Sequence, residues 1–157
     1  MNVGVVGCGS ISDTYLSNMI HHIGNLNVIA CCAAHLESAR RKAAQYGIEA
    51  CTFEAMLVNP RIEMVVVLTP VPTHYDLIKR ALLAGKHVYT EKIITLYAEQ
   101  ARELIELADE KGLYLGVAPD TFLGASLQKV RSAIDAGLLG EITGFVASAN
   151  RDLDYYT

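Results

Sequence analysis

The sequence predicts a doubly wound α/β fold, with a mainly parallel sheet and helices on both faces. Short, near-continuous apolar runs alternate along the chain with stretches of helical period, and such runs are typical of parallel strands buried on both faces. The 157 residues are 52% hydrophobic and 19% charged, which is enough apolar material for a sizeable core.

Seven apolar runs predict the strands: residues 3–6, 26–32, 50–52, 64–68, 87–89, 113–117 and 142–149. Between them, periodic stretches predict helices at residues 11–20, 36–46, 54–58, 73–84, 95–111 and 125–136. Thr73 and Thr95 are the expected N-caps of the fourth and fifth helices, and Gly85 and Gly112 follow their last turns. The fifth helix should bury one face, formed by Leu104, Ile105, Leu107 and Ala108.

The composition argues against several classes of partner. The formal net charge is −4, and no Lys/Arg cluster suggests nucleic acid. No apolar run approaches the roughly 20 residues that span a membrane. The cysteines have neither C-x-x-C nor zinc-site spacing, so we expect no metal site and reduced thiols. Because the first strand starts near residue 2, we expect no signal peptide and a cytoplasmic protein.

The stretch VVGCGSIS, at residues 5–12, lies between the first predicted strand and the first helix. Gly7 and Gly9 occupy the first two positions of the dinucleotide-binding pattern G-x-G-x-x-G, and Ser12 occupies the third. The first glycine of that pattern allows a tight turn, and the second lets a pyrophosphate approach backbone N–H groups. The alternative is a plain tight turn. The predicted cofactor contacts in this loop are Gly7, Cys8, Gly9, Ser10 and Ile11.

The end of the second predicted strand lacks the acid that usually binds the adenosine ribose. Ala33 stands at the expected position, Ala34 follows it, and the first carboxylate is Glu37. Without the acid a 2′-phosphate is not repelled, yet no arginine stands at position 34 to bind one; Arg40 and Arg41 lie further along the helix. We therefore expect Ala33 and Ala34 to contact NAD or NADP, with the balance towards NADP.

Polar, proline and ionisable residues collect where the predicted strands end. Ligands of open α/β sheets bind beyond the carboxyl ends of the strands, so this edge is the expected cofactor cleft. Asp120, after the sixth strand, is interpreted as a turn or cap residue. His74 opens a helix, which favours a surface or capping role, with a cofactor or substrate contact as the alternative. The predicted contacts from these strand ends are Thr69, Pro70, Pro72, His74, Glu91 and Lys92.

Glu91 and Lys92 interrupt an apolar stretch, VYTEKIIT at residues 88–95. A solvated turn explains their charges. The catalytic alternative is that Lys92 donates a hydrogen bond to a substrate oxygen, or moves a proton as a hydride passes to nicotinamide. Burial would help the second role by favouring the neutral amine, and Glu91 is expected to orient the lysine.

Four segments together resemble the Gfo/Idh/MocA family of oxidoreductases: the G-x-G loop, TPVPTH at residues 69–74, AGKHVYTEK at 84–92 and GLLGEI at 137–142. The resemblance covers essentially the whole chain. It implies a Rossmann domain that binds NAD or NADP, hydride transfer at a carbon of a sugar, inositol or related polyol, and a homo-oligomer when full length. In the family the lysine of an E-K-P motif lies beside nicotinamide and substrate, which assigns the catalytic role to Lys92.

The chain departs from the family pattern at two positions. Ile93 replaces the proline of E-K-P, which helps to fix that loop, and Ala33 replaces the ribose acid. Family members also continue into a second α/β domain, which supplies a catalytic Asp and His, the substrate pocket and dimer contacts. We therefore divide the chain into a dinucleotide-binding Rossmann domain at residues 1–120 and, at 121–157, the crossover helix and first strand of that second domain.

Three functions are compatible with these observations. The first is the nucleotide-binding part of an NAD(P)-dependent dehydrogenase or reductase, which by itself binds cofactor without turnover. The second is a non-enzymatic NAD(P)-binding sensor or degenerate regulatory module, favoured by the departures at Ser12, Ala33 and Ile93. The third is a Rossmann domain without hydride chemistry, such as a CoA-ligase type, in which the adjacent Glu91 and Lys92 have no evident purpose.

Overall fold

The computed structural model describes residues 1–119, 121–146 and 148. Its centre is a six-stranded sheet in the order β3-β2-β1-β4-β5-β6. Every pair of neighbouring strands is parallel, so the predicted doubly wound fold is confirmed. The strands are β1 (Asn2–Val6), β2 (Asn27–Cys32), β3 (Glu49–Ala50), β4 (Met64–Val67), β5 (His87–Thr90) and β6 (Leu115–Val117).

Six helices occur in the described residues, and short 3₁₀ turns at Val71–Thr73 and Thr121–Leu123 precede the fourth and the sixth. The second helix has the predicted bounds, and the others differ by a few residues at their ends. The helices are α1 (Ile11–His21), α2 (Leu36–Tyr46), α3 (Phe53–Val58), α4 (His74–Leu83), α5 (Ala98–Glu110) and α6 (Ala125–Asp135).

Helices cover both faces of the sheet. On one face α1 and α2 bury Leu16, Met19, Ala39 and Ala43 against the strands. On the other face α3, α4 and α5 bury a second set: Met56, Ile78, Ala81, Leu82, Leu104 and Ala108. Alternate strand residues contact opposite faces, and burying a valine side chain in this way contributes about 1.5–3 kcal/mol. The strands are therefore apolar at nearly every position.

Thr73 occupies the N-cap position of α4 as predicted, but its side chain makes no capping bond, and the predicted cap at Thr95 is wrong because α5 has Tyr97 at its N-cap. Thr73 belongs to the 3₁₀ turn, where its Oγ1 lies 2.8 Å both from the carbonyl oxygen of Pro70 and from Oγ1 of Thr69. Thr95 is buried before α5 begins, and its hydroxyl donates to the carbonyl of Tyr97 at 2.8 Å. Threonine hydroxyls bond backbone groups in turns as well as at helix starts, so an isolated threonine does not fix the first helical residue.

Two other local predictions need correction. Ile105 was expected on the buried face of α5 but is 50% exposed. Successive residues point about 100° apart around a helix axis. Leu104 and Ala108, four residues apart, therefore lie on the same buried face of α5, and Ile105 lies outside that face. The third strand ends at Ala50 rather than at 52 because Thr52 is the N-cap of α3, where its side chain accepts from the Ala55 N–H at 3.1 Å.

The chain divides into two compact units, Met1–Pro119 and Asp120–Thr157. The first unit contains the sheet and its five covering helices. In the described part of the second unit, α6 follows the 3₁₀ turn, and residues 142–146 and 148 form no strand, contrary to the strand predicted at 142–149. An apolar run becomes a strand only when a neighbouring strand supplies hydrogen bonds. Asp120 and residues 147 and 149–157 lie outside the described residues.

Candidate functional site

The candidate site lies where the strand order reverses. β1 has β2 on one side and β4 on the other. The chain leaves β1 for a helix on one face and leaves β4 for a helix on the opposite face, which opens a crevice at their carboxyl ends. The glycine loop follows β1 and the segment Thr69–His74 follows β4, so both segments singled out in the sequence lie at this edge of the sheet.

Gly7 packs the glycine loop closely against the segments that follow β2 and β4. Its φ of +105° is a conformation that L side chains rarely adopt, and a Cβ there would lie 2.8 Å from the carbonyl carbon and oxygen of Leu68. The Gly7 N–H donates to the carbonyl of Cys32 at 2.9 Å. The loop is thus joined to the ends of both β2 and β4, and the fold itself requires glycine at position 7.

Gly9 faces open space instead, because a Cβ there would meet nothing within 4 Å. The backbone N–H groups of Gly9, Ser10 and Ile11 donate to no residue in the described part of the chain, as is usual at a helix start. The buried Ser12 donates its hydroxyl to the Gly9 carbonyl at 2.6 Å, so the third position of the pattern is accommodated. Free N–H groups, a positive helix end and space beside Gly9 together fit a pyrophosphate.

A cavity of about 670 Å³ opens at the carboxyl ends of β1, β2 and β4. Ligand pockets of this size, lined by mainly apolar groups with a few polar ones, are usual for cofactors. The structure brings together residues that are far apart in the sequence, and the cavity offers room for the adenosine half of a dinucleotide. Its lining includes five of the predicted contacts: Ala33, Ala34, Thr69, Pro70 and Pro72.

The same cavity has charged and aromatic walls that the sequence reasoning missed. Arg80 donates to Glu54 at 2.9 Å and lies 3.6 Å from Asp76. Its guanidinium carbon lies 4.9 Å from the centroid of the Phe53 ring. The hydrogen bond to Glu54 raises the pKa of Arg80 and lowers the pKa of the Glu54 carboxyl. The available signal was Thr52, which as an N-cap places Phe53 and Glu54 in the first turn of α3.

The predicted loop contact Cys8 is a half-buried free thiol. Its Sγ lies 3.5 Å from the carbonyl oxygen of Cys32. A hydrogen bond with the Cys31 thiol and the nearby charge of Lys42 lower the pKa of Cys8 in spite of its burial. The hydrogen bond with Cys8 raises the pKa of Cys31, and burial raises the pKa of Cys32 to about 12. Of these three thiols, Cys8 is the one whose thiolate is favoured, so we expect it to react first.

The ring of His74 is completely buried, so the surface interpretation is wrong. Its Nε2 lies 2.7 Å from the carbonyl oxygen of Thr69, and its Nδ1 lies 2.9 Å from that of Ile93. A buried ring with both nitrogens against carbonyls has nothing to offer a ligand, which also argues against a direct cofactor contact. The signal in the sequence was the helix face that His74 shares with Ile78 and Leu82, both buried.

Glu91 contacts Lys92 through the backbone and not through the ammonium. Its Oε1 accepts from the Tyr15 hydroxyl at 2.7 Å, and its Oε2 accepts from the backbone N–H of Lys92 at 3.0 Å. Tyr15 lies on α1, the helix that begins at the glycine loop. Glu91 therefore ties the lysine loop to the helix that would receive a pyrophosphate.

Lys92 itself is exposed rather than buried, so the burial that would favour a neutral amine is not found. Its ammonium makes no hydrogen bond or ion pair with any residue that the structure describes. Ile93, at the position of the family's proline, is 56% exposed, and the peptide bond between Lys92 and Ile93 is cis. The lysine side chain is thus held only through its backbone.

The described residues contain neither a metal-binding cluster nor a membrane-spanning helix. No group of three or more His, Cys, Asp and Glu side chains is arranged to hold a metal ion. No helix combines the length and the apolar character needed to cross a membrane.

Comparison with protein-family models connects this geometry to known proteins. Residues 1–118 match the Gfo/Idh/MocA model, described as an oxidoreductase family with an NAD-binding Rossmann fold. The chain belongs to the Gfo/Idh/MocA family. The resemblance seen in the sequence is confirmed, and with it the Rossmann topology.

Several relatives of this Gfo/Idh/MocA chain have names or solved structures. It is 32% identical over 149 residues to inositol 2-dehydrogenase of Rhizobium meliloti. The matched region is 95% of this chain and 44% of that protein. A 3-ketoreductase from Actinomadura kijaniata, solved with NADP and TDP-benzene, is 32% identical with a TM-score of 0.81, over 90% of this chain and 44% of that one. The WlbA dehydrogenase from Bordetella pertussis, solved with NADH and UDP-GlcNAcA, is 27% identical with a TM-score of 0.83. That match covers 89% of this chain and 41% of the dehydrogenase. The chain thus spans less than half the length of these relatives.

Proposed function

We propose that this chain is the cofactor-binding part of an NAD(P)-dependent oxidoreductase acting on a sugar, an inositol or a related polyol. The observation that carries the proposal is the convergence at one edge of the sheet of a glycine loop with free N–H groups, a cavity and the Lys92 loop. The inositol, nucleotide-sugar and ketoreductase names of its relatives support the substrate class.

In this proposal, different groups of residues bind the pyrophosphate, the adenosine and the nicotinamide of the cofactor. Gly7, Cys8, Gly9, Ser10 and Ile11 would hold the pyrophosphate, and the cavity would hold adenosine. The nicotinamide end would then lie towards Glu91 and Lys92, because Glu91 is bonded to the helix that starts at the glycine loop. The adenosine contacts would be Ala33, Ala34, Thr69, Pro70 and Pro72.

Lys92 is the catalytic residue in this proposal. The bound nicotinamide supplies the hydride acceptor, or in the reverse direction the donor. During reduction the Lys92 ammonium donates a proton to the carbonyl oxygen, and oxidation is the reverse step, in which the substrate hydroxyl proton passes back to Nζ. An exposed side chain without a partner in the described residues is free to reach a substrate oxygen.

The cofactor choice rests on the end of β2. Neither Ala33 nor Ala34 offers a carboxylate that would bind a ribose 2′-hydroxyl or repel a 2′-phosphate. The nearest carboxylate along the chain, Glu37, lies 3.9 Å from Arg40. The proposal therefore admits both cofactors and favours NADP, and relatives have been solved with NADH and with NADP.

The test is cofactor binding followed by turnover. Calorimetric titration of this chain with NADPH and NADH should show binding to both, tighter for NADPH, because the pyrophosphate and adenosine sites lie in the first unit. The full-length gene product should in addition reduce NADP with a member of a panel of inositols and aldoses. The absence of binding by either cofactor would reject the proposal.

A non-enzymatic NAD(P) sensor is the second candidate. The exposed Lys92 and the isoleucine at the proline position favour it, whereas Ser12, buried and bonded to Gly9, shows that this departure does not damage the loop. The sensor predicts cofactor binding without turnover by the full-length gene product over the whole panel. The enzyme hypothesis predicts that the full-length protein turns over substrate, that turnover stops when Lys92 is replaced, and that the full-length protein forms homo-oligomers.

A further inference from the structure

His74 joins the two loops that border the candidate nicotinamide end of the crevice. Its Nε2 lies against the carbonyl of Thr69, after β4, and its Nδ1 lies against the carbonyl of Ile93, after β5. The residue is completely buried, so the two contacts are shielded from water. Hydrogen bonds in such surroundings are stronger, and leaving a partner unbonded costs about 1–3 kcal/mol.

We propose that His74 is a positioning residue, which sets the direction of Lys92 by holding the carbonyl of the next residue, Ile93. The proposal rests on the proposed function, since it takes Lys92 as the catalytic group. It assigns His74 no contact with cofactor or substrate.

The lysine is placed between two anchors. On its N-terminal side, Glu91 accepts from Tyr15 and from the Lys92 N–H, and the Glu91 N–H donates to the carbonyl of Val67 at 2.9 Å. On its C-terminal side, the described residues offer one contact to the Ile93 carbonyl, namely His74. Because the ammonium has no partner among the described residues, these backbone anchors set the position of the Lys92 Cα and the direction of its Cα–Cβ bond, from which the side chain reaches the crevice.

The nitrogen that faces Ile93 is the critical one. A carbonyl oxygen only accepts, so each contact of the ring needs an N–H at that nitrogen. One neutral tautomer donates to Thr69, the other donates to Ile93, and the doubly protonated ring donates to both. The Thr90 hydroxyl, 3.5 Å from Nδ1, is too far for a strong bond, so Ile93 is the principal partner of Nδ1.

Two substitutions separate positioning from simple packing. In His74→Asn the side-chain amide reaches the place of Nδ1 and keeps a donor for the Ile93 carbonyl. In His74→Gln the longer amide reaches the place of Nε2 and keeps the donor for Thr69 instead. Each variant keeps a donor at only one of the two carbonyls and loses part of the ring, so a purely structural role predicts similar damage from each.

The functional experiment uses the full-length gene product with NADP and the polyol found active in the panel. We expect His74→Asn to keep kcat within about threefold of the wild type, and His74→Gln to lower it about 10- to 100-fold, as small misplacements of a catalytic group do. The dissociation constant for NADPH should stay within about twofold in His74→Gln, which keeps the donor to Thr69. A weaker binding confined to His74→Asn would report on the proposed adenosine contact at Thr69 and not on Lys92. Equal losses of kcat in the two variants would overturn the proposal.

A second measurement judges His74 even if the full-length protein shows no turnover and the proposed function fails. Amide hydrogen exchange of this chain should be faster at Lys92 to Ile94 in His74→Gln than in His74→Asn. A long-range ¹H–¹⁵N spectrum of the unmodified chain should show a proton on Nδ1 of His74, and it needs no variant to fold. An unprotonated Nδ1 at neutral pH, or equal exchange in both variants, would refute the anchor.

Discussion

Two lysines at opposite ends of one strand show how the two edges of the sheet differ. Lys86 precedes β5 and is 7% exposed; its ammonium donates to the carbonyls of Asn59 and Ile62, both at 2.8 Å. Lys92 follows the same strand, is exposed, and has no partner for its ammonium in the described residues. Lys86 thus uses its ammonium to hold backbone carbonyls at the amino edge of the sheet. The ammonium of Lys92 is free to contact a ligand at the carboxyl edge.

The difference extends to the backbone. Near Lys86, carbonyls from the connection between α3 and β4 are satisfied by a side chain. At the carboxyl edge, the N–H groups of Gly9, Ser10 and Ile11 are left without a partner in the described residues. Free donors at the carboxyl edge suit an anion and a reacting oxygen there, whereas the donors of Lys86 are already used by the fold.

The largest expected effect is on catalysis at the carboxyl edge. Replacing Lys92 by Ala in the full-length gene product should lower kcat by about 10²–10⁴-fold, the usual contribution of a general acid or base. The thermal unfolding midpoint should not change, because the exposed side chain makes no hydrogen bond or ion pair in the described residues. Lys111→Ala, at an exposed lysine, is the control, and kinetics measured side by side decide the matter. A parallel loss of NADPH affinity would point to a structural role for Lys92.

Two glycines of one loop should respond in opposite ways. Gly7→Ala should destabilise the chain by about 1–3 kcal/mol or more, because a positive φ and a backbone contact of 2.8 Å leave no room for a Cβ. Gly9→Ala should leave urea unfolding within about 0.5 kcal/mol of the wild type. It should weaken NADPH binding about tenfold, or about 1.4 kcal/mol, because its methyl group occupies the space proposed for the pyrophosphate. Unchanged affinity in Gly9→Ala would move the pyrophosphate elsewhere.

Lys86→Met tests the amino edge of the sheet. The substitution leaves the Ile62 carbonyl without its donor and removes one of the two donors to the Asn59 carbonyl, which also accepts from the Ile62 N–H at 3.2 Å. This change should cost about 1–3 kcal/mol in urea unfolding, with no effect on NADPH affinity. Burial lowers the pKa of Lys86 in the folded state, so the unfolded chain binds more protons between the folded and unfolded pKa values. The stability of the wild type relative to Lys86→Met should therefore rise as the pH increases through that alkaline window and level off above it. A flat difference would contradict the burial effect.

The smallest effect concerns Cys8. Because its pKa is lowered whereas those of Cys31 and Cys32 are raised, N-ethylmaleimide should modify Cys8 before either of them. Saturating NADPH should slow that modification, as measured by peptide mass spectrometry. Cys8→Ser is the matched control and should remove the fast phase. Labelling that NADPH does not affect would separate Cys8 from the cofactor site.

The sequence by itself determined the parallel α/β sheet, the bounds of α2 and the place of the glycine loop. These features are encoded locally, because apolar residues must repeat with the period of the element that buries them, and a turn with positive φ selects glycine. The convergence of strand ends on one edge also followed from the sequence, since parallel strands all carry their carboxyl ends to the same side.

Only the tertiary structure decided how the lysine is held. Tyr15 and Glu91 are 76 residues apart in the chain, and Arg80 meets Glu54 across 26, so no local pattern reports either pair. His74 was interpreted as a surface residue from its place at a helix start, yet two loops close over it and both ring nitrogens meet carbonyls. Whether a polar side chain faces water or a distant backbone group is decided by which segments fold against it, and local sequence does not carry that information.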